Sequence, residues 1–221
     1  RFAAYSAPSS LSGSISSSFS STPSTRCGLR LSTVKGPATR TFETARHVFY
    51  QRGVRAVGVD EIVCQAGVTK PSLYRSFDSK DDLVAACLES FAEQGRADVR
   101  ASIEAAGDDP RAQLRAVIGH YAGQMSQPGF PGCPRPNTAV EFPEDAHPGR
   151  PVVEACKAEL RELIVGIARK LPADDPETLA DGLTLLIEGA YATYHVFGSQ
   201  GPATALVRSA VRLIEAHLPT R

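Results

Sequence analysis

Side chains able to bind phosphates or base edges are concentrated just after Gly67. Lys, Arg, Ser and Tyr donate hydrogen bonds of the kind that phosphate oxygens and base edges accept. Leu73 and Phe77 stand among them four residues apart, which places both on one side of a helix. The spacing predicts a short helix with an apolar inner side and an outer side that offers Lys70, Ser72, Tyr74 and Arg75.

The residues before this segment predict a second short helix and a tight turn. Ile62, Val63 and Ala66 form its apolar side, and Gly67 follows where a left-handed conformation would end it. Thr69 is the expected N-cap of the next helix, and Pro71 fits its first turn, where a missing N–H costs nothing. The pattern is that of a helix-turn-helix, whose second helix lies in the DNA major groove.

The stretch Ala66–Val84, A-G-V-T-K-P-S-L-Y-R-S-F-D-S-K-D-D-L-V, resembles the TetR-type (tetracycline-repressor-like) transcriptional regulators. A preceding segment, Thr39–Gly53, resembles the first helix of their DNA-binding domain, so the resemblance covers about residues 39–91. The family usually caps the first helix of the motif with Ser or Thr, but this chain has Gly58 there. Glycine cannot offer a side-chain contact to a phosphate.

The resemblance implies an all-α fold: a three-helix helix-turn-helix DNA-binding domain, residues 39–84, and a helical bundle, 85–221, for effector binding and dimerisation. It implies a sequence-specific regulator, usually a repressor, that a small-molecule effector releases from its operator, without catalysis, cofactor or metal. We expect residues 1–38, rich in Ser and Pro, to form a disordered arm. A transit peptide and an arm that follows the DNA backbone are the alternatives for this segment.

The DNA-contacting residues that we expect lie at three places. Lys80 opens the next helix, and two polar residues open the first helix, where free amides also face a phosphate. Lys70 or Arg75 on a guanine would provide sequence discrimination. The full set is Arg40, Thr41, Thr69, Lys70, Pro71, Ser72, Tyr74, Arg75 and Lys80.

Charge is unevenly distributed, although the net charge is zero. Residues 1–80 hold eleven Lys/Arg against four Asp/Glu, and residues 81–221 hold thirteen against twenty. Without residues 1–38, the range 39–80 still has a net charge of +3. A basic front part suits contact with a polyanion.

The rest of the chain shows helical periodicity, broken by a Pro- and Gly-rich stretch at 127–151, and the last two helices are the expected dimer surface. Small residues permit close approach of partner helices, and these are Gly182, Gly189, Ala192, Ala205 and Ala210. Aromatic residues add contact area, and these are Tyr191, Tyr194 and Phe197. The segment Gly132–Asn137 resembles a Gly-Cys-x-x-x-Asn element of one branch of the family. We expect an effector pocket lined by His120, Tyr121, Met125, Phe130, Cys133, Asn137, Phe142, Tyr191 and His195.

Five cysteines without a C-x-x-C pair favour a reducing cytoplasm over a disulfide scaffold. We expect Cys64 and Cys87 on apolar helix faces and Cys133 to be the most exposed. A thiol-responsive regulator using Cys133 therefore stays open. So do a metal sensor, from His147, Cys133, Cys156 and Asp145, and an enzyme pairing Cys133 with His120 or His147. No apolar stretch is long enough for a membrane span.

Overall fold

A computed structural model describes residues 36–142 and 147–219, which are helical almost throughout. No strand occurs among the described residues. The helices are α1 Pro37–Arg52, α2 Val59–Ala66, α3 Lys70–Tyr74, α4 Lys80–Ala105, α5 Pro110–Met125, α6 Pro134–Glu141, α7 Gly149–Ala168, α8 Pro176–Phe197 and α9 Leu206–Ala216. Two short 3₁₀ turns, Gly198–Gln200 and Pro202–Ala205, connect α8 to α9. The all-α prediction is confirmed.

Two apolar clusters divide the molecule. The first is built from α1, α2, α3 and the start of α4, and Val153 of α7 joins it. The second is built from α5, α7, α8 and α9 with Val99 of α4. We call α1–α3 with residues 80–84 the head, and residues 85–219 the back half. The continuous helix α4 contributes to both clusters, so it connects them mechanically.

Side-chain caps set several helix starts. Asp109 accepts hydrogen bonds from the amides of Arg111 and Ala112 at 3.1 and 3.2 Å, and Asp175 accepts from Thr178 at 2.9 Å. Such acceptors satisfy amides that lack a partner in the first turn. Hydrogen bonds to Thr178 also lower the pKa of Asp175, because they stabilise its charged form.

The first helix begins two residues earlier than the predicted boundary at residue 39. Pro37 and Ala38 already belong to α1, which begins after Gly36, because proline suits the first helical turn. Residues 1–35 lie outside the described residues, so the rest of the predicted arm stays a prediction. Within the described ranges, none of the helices combines the length and apolar character needed to cross a bilayer.

Candidate nucleic-acid interface

The turn between α2 and α3 has the predicted geometry. Gly67 lies in the left-handed region, at φ 61° and ψ 41°, and its amide donates to the Cys64 carbonyl at 3.2 Å. The Val68 amide donates to the Val63 carbonyl at 3.0 Å, which completes the helix end. A residue with a Cβ would be strained at this φ. Gly58 precedes α2 without any side-chain cap, as its chemistry requires.

Helix α3 is held by its cap and by one buried leucine. The Thr69 hydroxyl accepts from the Ser72 amide at 3.4 Å and lies 3.0 Å from the Ser72 hydroxyl. Leu73 has no exposed surface, and Phe77 is half-buried against the head cluster. These contacts orient the helix so that its opposite side faces solvent.

That outer side carries Lys70, Pro71, Tyr74 and Arg75, all exposed. The Lys70 ammonium lies 2.7 Å from an Asp60 carboxylate oxygen, and this hydrogen bond raises the pKa of Lys70. Arg75 donates to the Ser72 hydroxyl at 2.8 Å. Since an exposed ion pair is worth at most about 1 kcal/mol, a phosphate can readily replace Asp60 as the partner of Lys70.

Two of the predicted DNA contacts are used inside the protein. Thr41 is fully buried, and its hydroxyl donates to the Pro37 carbonyl at 2.9 Å, so it does not face a ligand. Lys80 donates to the Val54 carbonyl at 2.8 Å and lies 5.9 Å from the centre of the Phe49 ring. Burial lowers the pKa of Lys80. Both side chains fold back on α1 and its following loop, which helical position alone does not reveal.

Arg40 stays near the turn, where its guanidinium donates to the Gly67 carbonyl at 3.4 Å. Its Nε is buried without a hydrogen-bond partner. Ser79, which is absent from the predicted residues, caps α4: its hydroxyl accepts from the Asp82 amide at 3.0 Å and donates to the Asp82 carboxylate at 2.6 Å. The Ser-x-x-Asp spacing was the available signal.

The residues predicted to line one effector pocket are distributed over several cavities. Tyr121 lines one among α4, α5 and α7, and Met125 lines one beside the 3₁₀ turns. Phe130 and Cys133 line a cleft against α1 and α4, whereas Asn137 and His195 line a neighbouring cleft against α1. These side chains therefore line separate cavities in the structure, and an effector pocket that they share stays a prediction.

An aromatic cluster explains where the other predicted residues lie. The Tyr191 ring stacks on Phe130 at 6.0 Å and meets Tyr121 edge-on at 6.0 Å, and its hydroxyl donates to the Gln124 amide oxygen at 2.8 Å. His120 lies beside it, its Nε2 being 3.0 Å from the Gln124 amide nitrogen. His195 Nε2 lies 3.1 Å from the Asn137 amide oxygen. Tyr121, Phe130 and Tyr191 are therefore part of the back-half core, whereas His195 is exposed.

Phe142 belongs to the junction with the head and not to a back-half pocket. It packs against the head cluster, stacks on the His147 ring at 4.4 Å, and has the Arg55 guanidinium 5.1 Å from its ring centre. The neighbouring Glu141 accepts from the Arg55 amide at 2.7 Å. Helix α6 is thereby fixed to the loop after α1, a long-range contact that local periodicity does not contain.

The cysteines also depart from expectation. Cys133 is only 4% exposed, and Cys64 is exposed because it points away from the side of α2 that buries Ile62, Val63 and Ala66. Cys87 is buried as expected. The exposure argument for Cys133 as a thiol sensor is wrong. No group of three His, Cys, Asp or Glu side chains suited to a metal occurs in the described ranges, which exclude Asp145.

A thiol titration tests this arrangement. In a Cys27→Ser variant, we expect Ellman's reagent at pH 8 to modify Cys64 quickly and the three buried cysteines only after denaturation. Burial raises the pKa of Cys87 to about 12, so at pH 8 it holds the unreactive thiol form. If the double variant Cys27→Ser/Cys64→Ser is still modified quickly, the other three cysteines are not buried as described.

Helix α8 carries an apolar stripe on its outer side. Leu185 and Val196 are 72% and 74% exposed, and the exposed small residues Gly189 and Ala192 lie between them. Spacings of four, three and four residues place all four on one helix face. Three other residues predicted for a dimer surface are used within the chain: Tyr191 and Ala210 are buried, and a Cβ on Gly182 would lie 2.8 Å from Leu213 Cδ2.

Comparison with known proteins agrees with this architecture. Residues 42–87 match the family described as "Bacterial regulatory proteins, tetR family". The HTH-type transcriptional activator FasR of Mycolicibacterium smegmatis is 40% identical over 74 residues, which is 34% of this chain and 33% of FasR. The HTH-type transcriptional regulator BetI of Rhizobium meliloti is 27% identical over 80% of the chain and 86% of BetI. A TetR-type regulator from Streptomyces avermitilis, whose structure is solved, is 31% identical in sequence to this chain. The two structures match with a TM-score of 0.73 over 83% of this chain and 98% of that one.

Proposed function

The chain belongs to the TetR family of DNA-binding transcriptional regulators, and on that premise we propose that it is a homodimeric, effector-controlled repressor. The observation that carries the proposal is the outer side of α3. Lys70, Tyr74 and Arg75 are exposed there, whereas Leu73 of the same helix is fully buried. A helix held in this way can enter the major groove with its donors facing base edges and phosphates.

We propose a revised contact set for DNA. Lys70, Pro71, Ser72, Tyr74 and Arg75 stay in it as the outer side of α3, and Thr69 and Arg40 flank them at the turn. Thr41 is withdrawn because it is buried, and Lys80 is withdrawn because the Val54 carbonyl and the Phe49 ring hold it.

A homodimer is part of the proposal, since a five-residue helix reads too few bases for operator specificity on its own. A twofold assembly presents two copies to one face of the duplex and doubles the contacts. The exposed stripe on α8 supports an isologous contact in which the stripe meets its own copy. Small residues at its centre would let the two helices approach closely.

Control by a small-molecule effector and repression are the modes that the family implies. An effector that binds one conformation better would shift the separation of the two α3 helices and so change operator affinity. FasR is named an activator, so the direction of regulation is tested separately. Selection from random DNA identifies the operator, and a reporter gene placed behind it distinguishes repression from activation.

Arg75→Ala tests the recognition role of α3. We expect it to remove about 1–3 kcal/mol of discrimination between the selected operator and scrambled DNA for each half-site, because the bidentate donor to a base edge is lost. Fluorescence anisotropy at several salt concentrations measures both affinities.

Arg52→Ala is the matched control for this experiment. It removes the same charge from an exposed arginine of α1, which pairs with Glu61. We expect it to weaken binding to both DNAs about equally, since it removes only general electrostatic attraction. Loss of equal size on both DNAs for Arg75→Ala would contradict base recognition by that residue.

A further inference from the structure

A cleft of about 450 Å³ lies between the head and the back half. One wall is α1, with Arg46 and Tyr50, and a second is α4, with Phe91 and Asp98. The segment from Gln124 to Pro134 closes the third side. Its volume is that of an ordinary small-molecule site.

Among the described residues that line this cleft, Arg46 is the only cation. Its guanidinium carbon lies 4.6 Å from the centre of the Phe91 ring, and its Nε is buried without a hydrogen-bond partner. Across the part of the chain that the structure describes, no carboxylate forms an ion pair with it. A partly buried guanidinium without an anion is unfavourable, so an anion entering the cleft would be bound there.

Among the described lining residues, Asp98 is the only acidic one. Its Oδ1 accepts from the Gln94 amide nitrogen at 2.8 Å, and within residues 36–142 and 147–219 no basic side chain pairs with it. Asp98 follows Phe91 by seven residues, which is about 10 Å along the axis of α4. Opposite charges thus occupy separate ends of one cleft.

Aromatic side chains line the space between these ends. Phe91 contacts Tyr50 with ring centres 5.7 Å apart, and Phe130 contributes a second aromatic surface. Aromatic walls favour a flat, apolar ligand body through stacked or edge-on contacts.

We propose that this cleft binds a small aromatic carboxylic acid with a hydrogen-bond donor at its far end. The carboxylate pairs with Arg46, the ring lies against the aromatic walls, and the hydroxyl or amino group donates to Asp98. This inference rests on the proposed effector control and names the chemical class of the effector. Because Arg46 stands between Ala45 and the head core residue Val48 on α1, a ligand bridging it to α4 would act directly on the position of the head.

Calorimetry on the full chain tests the inference with 4-hydroxyphenylacetate as the probe. We expect 4-hydroxyphenylacetamide, which lacks the charge, to bind at least about tenfold more weakly, because it loses a charge-assisted hydrogen bond. Phenylacetate, which lacks the donor, is expected to bind several-fold more weakly. Equal affinity for the acid and its amide overturns the inference. So does the absence of binding by all three compounds at 10 mM, because a Kd above 10 mM corresponds to a binding free energy weaker than about 3 kcal/mol.

Two variants assign the two ends of the ligand. We expect Arg46→Gln to abolish the preference for the acid over the amide, and Asp98→Asn to abolish the preference for 4-hydroxyphenylacetate over phenylacetate. Arg46→Lys keeps the charge without the planar fork and is expected to fall between wild type and Arg46→Gln. A preference for the acid that survives Arg46→Gln overturns the assignment.

Arg100→Gln is the matched control, because this exposed arginine of α4 lines the separate cavity among α4, α5 and α7. We expect Arg100→Gln to prefer the acid over the amide as strongly as wild type does. If Arg100→Gln loses this preference and Arg46→Gln keeps it, the ligand binds in the cavity among α4, α5 and α7. Unfolding temperatures confirm that each variant is folded. Operator binding without ligand is measured in parallel, so that failure of DNA binding is distinguished from failure of ligand binding.

Discussion

Leu185→Glu is expected to convert the protein from a dimer to a monomer and to weaken operator binding at least about 100-fold. An unpaired carboxylate in a desolvated contact costs about 2–5 kcal/mol, and an isologous interface contains the substitution twice. Leu185 is suited to this test because 72% of its surface is exposed in the chain, so glutamate there does not disturb the monomer core. Sedimentation velocity at micromolar concentration measures the oligomeric state, and anisotropy measures the operator affinity.

Val140→Glu is the control for this substitution. Val140 is also highly exposed, at 82%, but it belongs to α6 and lines the cleft against α1. We expect this variant to remain dimeric and to bind the operator normally. Val196→Glu, on the same stripe as Leu185, should reproduce the monomer. A dimer that persists in both stripe variants would place the interface elsewhere on the surface.

Local sequence signals were sufficient to predict most of the helices. Asp109 before Pro110 is a signal for the start of α5, and the apolar spacing from Leu83 to Phe91 is that of a helix, which runs to Ala105. Thr69 and Gly67 predicted the cap and the turn of the motif. Such signals succeed because caps and turns depend on residues only a few positions apart.

Several of the errors share one cause, which is contact between segments distant in the sequence. Lys80 is held by a carbonyl 26 residues earlier, and the Arg55 amide by a carboxylate 86 residues later. Phe142 packs on the head because Glu141 anchors the end of α6 to the loop after α1. No helical period encodes these pairings, so the exposure of Lys80, Cys133 and Phe142 could not be derived from their neighbours.

The cleft that contains Arg46 illustrates the same limit. Arg46 lies on α1 and Asp98 on α4, but nothing in the sequence of either helix indicates that both line one cavity. Only the packing of the segment from Gln124 to Pro134 against both helices creates the enclosure. Phe130 and Cys133 were predicted as pocket residues, whereas their partners from the head were missed.

Leu73→Ala is expected to lower the free energy of unfolding by about 2–5 kcal/mol, because truncating a fully buried leucine leaves a cavity in the head core. Loss of this anchor also frees α3 from its orientation, so operator binding should fall even where the protein is still folded. The adjacent Tyr74→Ala is the control, since Tyr74 is 47% exposed on the opposite side of the same helix. We expect that variant to change stability by about 0.5 kcal/mol or less while weakening DNA binding. Urea unfolding followed by circular dichroism gives both free energies. Equal stability losses in the two variants would mean that the side of α3 assigned here to DNA is instead needed to hold the helix in place.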